Sequence, residues 1–261
     1  MKIGDYVVRK KYKRDILFEI FDIKENICYL RGVELRLIAD SDLEDLELSE
    51  VQPHSEDKFT IERQPMIRGK VLHLDGDEKY LNMCERKYKE LKIRANCYYM
   101  KESQMKDYVY ELLEKHKPQI LVITGHDALR KERDKGEAEN YQHSLDYAET
   151  IRNARLYEDD KDALIIIAGA CQSYYEMLLA SGANFASSPK RINIHALDPV
   201  YVASLVANES VRNYCDIEDI ISHTSHKQSG IGGIDTKGVA RKIYPTKGWE
   251  SWKSEHMQKL I

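Results

Sequence analysis

From residue 70 onward, short apolar runs alternate with stretches of helical periodicity, and few folds accommodate that order. Residues 71–74 are apolar and end at Asp75-Gly76-Asp77. In residues 78–91 that follow, Tyr80, Leu81, Cys84, Tyr88 and Leu91 recur at spacings that place them on one helix face. The pattern then repeats, with strands expected over 95–100, 120–124, 163–168 and 192–197, and helices over 102–116, 141–156, 172–180 and 200–214. Pro118 and Gly182 supply stops. The run 163–170 is apolar throughout, as in a strand covered on both faces. Such alternation predicts an α/β fold: a parallel sheet with helices on both faces, wound by right-handed crossovers.

The first 50 residues read differently. Runs over 6–9, 16–23, 27–30 and 33–38 are rich in Val, Ile, Leu and aromatic residues and are separated by charged turns. They suit a small SH3-like β-barrel over residues 1–50, a structural or docking module. Residues 51–69 are polar, carry Pro53 and Pro65 and read as a linker, with one short strand at 59–61. The α/β domain then occupies residues 70–261. A chain of 261 residues has room for one medium and one small domain.

Composition excludes several classes. A formal net charge of -4 argues against a nucleic-acid partner. No apolar run approaches the ~20 residues that span a bilayer. The start lacks the apolar core of a secretory signal, so the chain is expected to stay in the cytoplasm where it is made, with no membrane partner. The five cysteines, Cys28, Cys84, Cys97, Cys171 and Cys215, are odd in number and scattered, which fits neither a disulfide framework nor a zinc site. The glycine-rich stretch 230–238 lacks the Gly-Lys-Ser/Thr ending of a phosphate loop. No metal or organic cofactor is implied. The charged segment 130–140 and the basic segment 222–248 read as long loops that either line a cleft or are simply solvated.

In open parallel sheets, functional groups gather beyond the carboxyl ends of the strands. Three such ends carry reactive residues: Thr124-Gly125-His126-Asp127, Ala168-Gly169-Ala170-Cys171-Gln172 and His195-Ala196-Leu197-Asp198-Pro199. If the strands before His126 and Cys171 are neighbours, both side chains leave the same edge. An imidazole can then take the thiol proton. A helix starting at Cys171 would stabilise the thiolate, and the Cys171 N–H would point toward a developing oxyanion. Gly125 is expected to free the turn that presents His126. Each residue also has a plainer reading. In it the cysteines are small buried hydrophobes by type, Asp75 and Asp77 turn and cap residues, His195 a core histidine, and Asp198 a cap before Pro199.

The order of His before Cys, with a gap near the ~50 residues typical of caspases, goes with those strand ends. Together they resemble the caspase–clostripain–gingipain–legumain group of cysteine peptidases. The resemblance implies a caspase-like domain working as a His126–Cys171 dyad. The oxyanion would be held by the N–H groups of Cys171 and of Asp127, which stands where the group usually has glycine. Arg-specific members keep an acidic residue near the strand after the cysteine. Asp198 falls there, which implies an S1 pocket pairing with a substrate Arg or Lys. A longer set of segments resembles the YabG family of sporulation-specific peptidases of endospore-forming bacteria. It comprises Ile3-Gly4-Asp5-Tyr6-Val7-Val8-Arg9-Lys10, Arg36-Leu37-Ile38-Ala39-Asp40, Val71-Leu72-His73-Leu74-Asp75-Gly76-Asp77, Thr124-Gly125-His126-Asp127, Ala168-Gly169-Ala170-Cys171-Gln172-Ser173, Ala196-Leu197-Asp198-Pro199-Val200 and Gly230-Ile231-Gly232-Gly233-Ile234-Asp235-Thr236-Lys237-Gly238. It implies a mother-cell protease whose partners are protein substrates, namely spore coat or cortex-associated proteins. Two rival readings stand beside it: a Cys-dependent amidase of amidotransferase type using His195, and a non-catalytic coat protein docking through its amino-terminal module.

Overall fold

The computed structural model describes residues 1–49, 66–130, 133–244, 248 and 252. The strand expected at 59–61, and most of the linker, lie outside them. The amino-terminal unit is an antiparallel sheet of β1 (Tyr6–Arg9), β2 (Phe18–Lys24), β3 (Ile27–Gly32), β4 (Ile38–Asp42) and β5 (Leu46–Leu48), in the order β4-β3-β2-β1-β5. Alternate positions turn Val7, Phe18, Ile20, Cys28, Leu30 and Leu46 into one small core. Pairing runs in one line from β4 to β5, so barrel closure is not among the pairings of this sheet. The expected strand at 33–38 is mostly a loop. At its start, a Cβ on Gly32 would lie 2.3 Å from the Leu35 carbonyl oxygen, so only glycine admits the tight approach.

After the two-residue β6 (Met66–Ile67), the α/β domain opens with β7 (Val71–Asp75), α1 (Glu78–Glu90), β8 (Ala95–Tyr99), α2 (Glu102–His116) and β9 (Ile120–Thr124). It continues with α3 (Ser144–Tyr157), β10 (Ile165–Ala168), α4 (Tyr175–Ala180), β11 (Phe185–Ser187) and α5 (Asp198–Asn208). The last elements are α6 (Ile217–Ser222), β12 (Ile231–Gly233) and β13 (Arg241–Lys242). The main sheet has the order β12-β11-β10-β9-β7-β8. All its pairings are parallel except β11 with β12. The period of two sends Val71, Val122, Ile165 and Ile167 to one face, against α1, α5 and α6. It sends Leu72, Leu74, Leu121, Ile123 and Ile166 to the other, against α2, α3 and α4. Each strand therefore needs apolar residues throughout, which is why these strands were legible.

One strand lies elsewhere than its apolar pattern predicts. The fifth parallel strand is β11, and residues 192–197 leave the sheet. They pair instead with the amino-terminal unit: Ala196 N donates to Glu34 O (2.9 Å), Arg36 N donates to Ile194 O (3.3 Å), and Leu35 bridges His195. β11 was hidden by its polar flank, because Asn184 precedes it and uses its side-chain oxygen to accept the Ile166 N–H at 2.9 Å. The segment 222–248 is likewise not one loop. Its glycine run forms β12, where a Cβ on Gly233 would fall 2.6 Å from the Asn184 carbonyl oxygen.

The two units meet at Arg36, which is 1 % exposed. Its guanidinium forks onto Asp75, Nη1 to Oδ1 at 3.0 Å and Nη2 to Oδ2 at 2.8 Å, and stacks 5.2 Å from the Tyr80 ring centre. Tyr80 in turn places its hydroxyl 2.6 Å from the Gly32 carbonyl oxygen and 2.8 Å from that of Leu35. Burial alone would raise the Asp75 carboxyl, but the Arg36 charge overrides it and holds the group well below the usual carboxylate range. Removing one partner of a buried pair strands the other charge. Arg36→Ala should therefore cost on the order of 3–5 kcal/mol in urea unfolding, and adding Asp75→Ala should cost much less than a second increment of that size. Because the carboxyl is depressed in the folded chain, its stabilisation is complete above the unfolded carboxylate value of about 4 and is lost as pH falls. A cost below about 1 kcal/mol for Arg36→Ala would mean that the fork does not hold the units together.

Candidate active site

In the strand order β8-β7-β9-β10-β11, successive connections reverse direction between β7 and β9. Open α/β sheets bind their ligands at such a switch point, beyond the carboxyl ends. Asp75-Gly76-Asp77 closes β7 at this crevice and His126 follows β9 across it. β10 pairs with β9 in register, Ala168 beside Ile123, so Cys171 leaves the same edge one strand further on.

His126 is tightly held. Its backbone N–H donates to Glu102 Oε1 at 2.8 Å, and its carbonyl accepts from the Tyr147 hydroxyl at 2.8 Å. Its Nε2 lies 3.1 Å from Asp77 Oδ2, and its ring meets Tyr80 edge-on with centres 5.9 Å apart. Glu102 is a buried carboxylate at the start of α2 that sequence reading passed over, because a first-turn glutamate is the common way to suit a helix dipole. It also explains Gly125. A Cβ there would lie 2.5 Å from Glu102 Oε1, so the glycine serves close approach rather than the conformational freedom expected of it.

Cys171 is placed otherwise than expected. It sits in a turn, and α4 starts only at Tyr175, so no helix amino terminus reaches the sulfur. Gln172 adopts a left-handed φ of 57°, which interrupts any helix there, and Gly169 takes φ +109° to turn the chain off β10. The loop is fastened by Asp127. Its carboxylate accepts from the Ser173 hydroxyl at 2.9 Å, from the Ser144 hydroxyl, and from the His143 and Ala128 N–H groups at 2.9 Å each. Asp127 therefore ties the loops after β9 and β10 together and does not orient His126. Burial raises its carboxyl, against those donors. Among the described residues, the backbone N–H groups of Asp127 and Cys171 have no protein acceptor.

The Cys171 sulfur faces residues 192–196. It accepts the Ile194 N–H at 3.3 Å and lies 3.8 Å from the Ile194 carbonyl oxygen. At 1 % exposure its thiol is pushed up to about 12, mainly by burial, with the Ile194 N–H and the nearby Arg36 charge pulling the other way. No hydrogen bond joins it to His126 among the described residues. Asp198 is fully buried at the start of α5, where its carboxylate accepts from the Ser225 N–H and hydroxyl at 3.0 Å each and from the His195 N–H at 3.3 Å. Burial raises it, against the Ser225 N–H. His195 spends its Nδ1 on the Leu197 N–H at 3.1 Å. His73, Asp75 and Cys84 place donor atoms within 4.8 Å of one another. However, both Asp75 oxygens face Arg36, whose Nη2 also lies 3.4 Å from Cys84 Sγ, so a cation there would meet a fixed positive charge. No helix among the described residues is long and apolar enough to cross a membrane.

The sheet thus carries a His and a Cys at the carboxyl ends of two neighbouring strands, and known proteins resemble the chain that bears them. The family model described as YabG peptidase U57 matches residues 2–67 and 53–245. The sporulation-specific protease YabG of Bacillus subtilis (strain 168) is 38% identical over 285 aligned positions, covering 94% of this chain and 98% of the relative. The chain belongs to the YabG family of peptidases. Among solved structures, a GDP-L-fucose synthetase from Naegleria fowleri is 17% identical, with a TM-score of 0.25 over 42% of this chain and 34% of its own. That likeness is too slight to bear on fold or activity.

A thiol this enclosed should resist alkylation. In the folded protein near pH 8, iodoacetamide should modify Cys171 at least about tenfold more slowly than in urea, as mass spectrometry of the peptide would read, since only the accessible thiolate reacts. Equal rates would show that the sulfur is open in solution.

Proposed function

We propose that this peptidase is a cysteine endopeptidase in which Cys171 is the nucleophile and His126 its general base. The observation that carries the reading is the in-register pairing of β9 with β10, which brings both residues to one sheet edge beside the switch point. His126 takes the thiol proton and the sulfur bonds to the scissile carbonyl carbon. The unengaged N–H groups of Cys171 and Asp127 receive the oxyanion. The C–N bond breaks as His126 returns the proton to the leaving amine, and water then hydrolyses the thioester. The sulfur reaches a substrate once the Ile194 backbone gives up its contact, so opening of the 192–196 segment precedes attack.

The substrate reading follows the same family. The B. subtilis relative is named for sporulation, and by that likeness this chain acts in the mother cell on spore coat or cortex-associated proteins. Cleavage falls after Arg or Lys, with Asp198 as the acidic residue of the S1 pocket. For that role, the Ser225 contacts of Asp198 exchange for a substrate guanidinium, and its buried carboxylate strengthens the pair.

Cleavage of a peptide library under reducing conditions tests this. Cys171→Ala and His126→Ala should each lower kcat by several orders of magnitude, and His195→Ala should stay within about tenfold of wild type. The opposite ranking of the two histidines would favour an amidase using His195. Asp198→Asn should reduce cleavage after Arg by tenfold or more, on the scale of ~1.5–3 kcal/mol for a hydrogen bond to a charged group. Unchanged cleavage after Arg would remove Asp198 from the specificity pocket and leave the Cys–His pair standing.

A further inference from the structure

We infer that Asp77 is the positioning residue for His126, and that Arg31 of the amino-terminal sheet holds Asp77 in place, so the base is oriented partly from outside the α/β domain. The inference rests on His126 being the general base.

Asp77 Oδ2 is shared between His126 Nε2 and Arg31 Nη2, each at 3.1 Å. Oδ1 accepts the N–H groups of Lys79 at 2.9 Å and Tyr80 at 3.2 Å, so the carboxylate is pinned as the cap of α1. It is 6 % exposed, and Arg31 is itself steadied over the Phe21 ring at 4.9 Å. Burial would raise the Asp77 carboxyl, but the His126 hydrogen bond and the Arg31 charge bring it below its ordinary value. An ionised carboxylate only accepts, so Nε2 carries the proton and Nδ1 is left as the basic nitrogen. That is the arrangement a base needs when its thiol approaches from the other side of the ring. The remaining polar groups around His126 are accounted for. Tyr80 of α1 meets the ring, while Glu102 of α2 and Tyr147 of α3 hold its backbone N–H and carbonyl. Cys171 follows β10.

Arg31 and His126 draw on the same oxygen, which sets opposite signs for two substitutions. Removing the charge of Asp77 disfavours the imidazolium, whereas removing Arg31 leaves the carboxylate to act on His126 alone. The test is a pH titration by nitrogen-15 NMR of the full chain, labelled at histidine and carrying Cys171→Ala. The His126 signal is assigned by its loss in His126→Asn. The neutral ring should be the Nε2–H tautomer. Its midpoint should move in opposite directions in Asp77→Asn and Arg31→Met, down in the first and up in the second. Asn remains a good helix cap, and Arg31→Met leaves the cap untouched, so a folding defect cannot imitate opposite shifts. In the enzyme with Cys171 intact, Asp77→Asn should lower kcat on the order of 10²-fold, with KM within about twofold and the acid limb of the rate profile moved down. Unchanged midpoints and tautomer in both variants would overturn the inference and leave the Cys–His reading intact. Full cleavage by Cys171→Ala would instead sink that reading, while the titration still decides the Asp77–His126 pairing.

Discussion

The buried fork between Arg36 and Asp75 organises the rest of the molecule. A guanidinium at 1 % exposure is tolerable only with a fixed countercharge and good geometry. Asp75 supplies both because it ends β7, inside the main sheet, where Thr124 at the end of β9 adds a hydroxyl to its Oδ2 at 2.8 Å. The ion pair therefore fastens the amino-terminal sheet to the two strands that flank the switch point. With Arg36 seated, residues 34–36 run alongside 194–196, and that pairing places the Ile194 backbone on the Cys171 sulfur. The same docking brings Arg31 to Asp77. The small sheet is thus a wall of the crevice.

Two further networks fix the strand ends. Asp127 gathers Ser144, Ser173 and the His143 N–H, and Ser173 in turn accepts the Ala170 N–H at 2.9 Å. The loops carrying His126 and Cys171 are in this way referenced to one buried carboxylate. Glu102 does the equivalent for the backbone of His126. Satisfied buried networks of this sort are rigid, because any partial opening leaves a polar group unpaired in a low dielectric. The contact closing Cys171 is softer: the Ile194 backbone N–H and carbonyl meet the sulfur, on a segment that belongs to neither sheet.

The elements legible in the sequence were those whose pattern is local. The expected boundaries of β9 and α2 match the observed ones, since an apolar run and an amphipathic stretch before Pro118 are self-evident. The exchange of 192–197 for β11 was not legible. Ile192, Ile194 and Leu197 are as apolar as a strand, and only the arrival of residues 34–36 decides that they pair outside the sheet. The start of α4 was read several residues early, because Gln172, Ser173 and Tyr174 do not forbid a helix by type. It is the left-handed Gln172 and the Ser173 contacts that delay it.

For the site, chain order and strand-end position pointed to His126 and Cys171, and Asp77 stood in view as a residue closing β7. Side chains that act at long range, Arg31 and Glu102, carried no mark, and Arg36 stood out only as part of a family-like segment with no sign of its partner, since an arginine in a charged strand and a glutamate opening a helix are ordinary. What the sequence by itself determined is the α/β alternation and the candidate His and Cys, because periodicity and strand ends are written in neighbouring residues. Only the tertiary structure decided which strand closes the sheet, how the thiol is covered and which charges reach the imidazole. Those outcomes depend on contacts between residues far apart in the chain, whose geometry exists only once Arg36 has found Asp75.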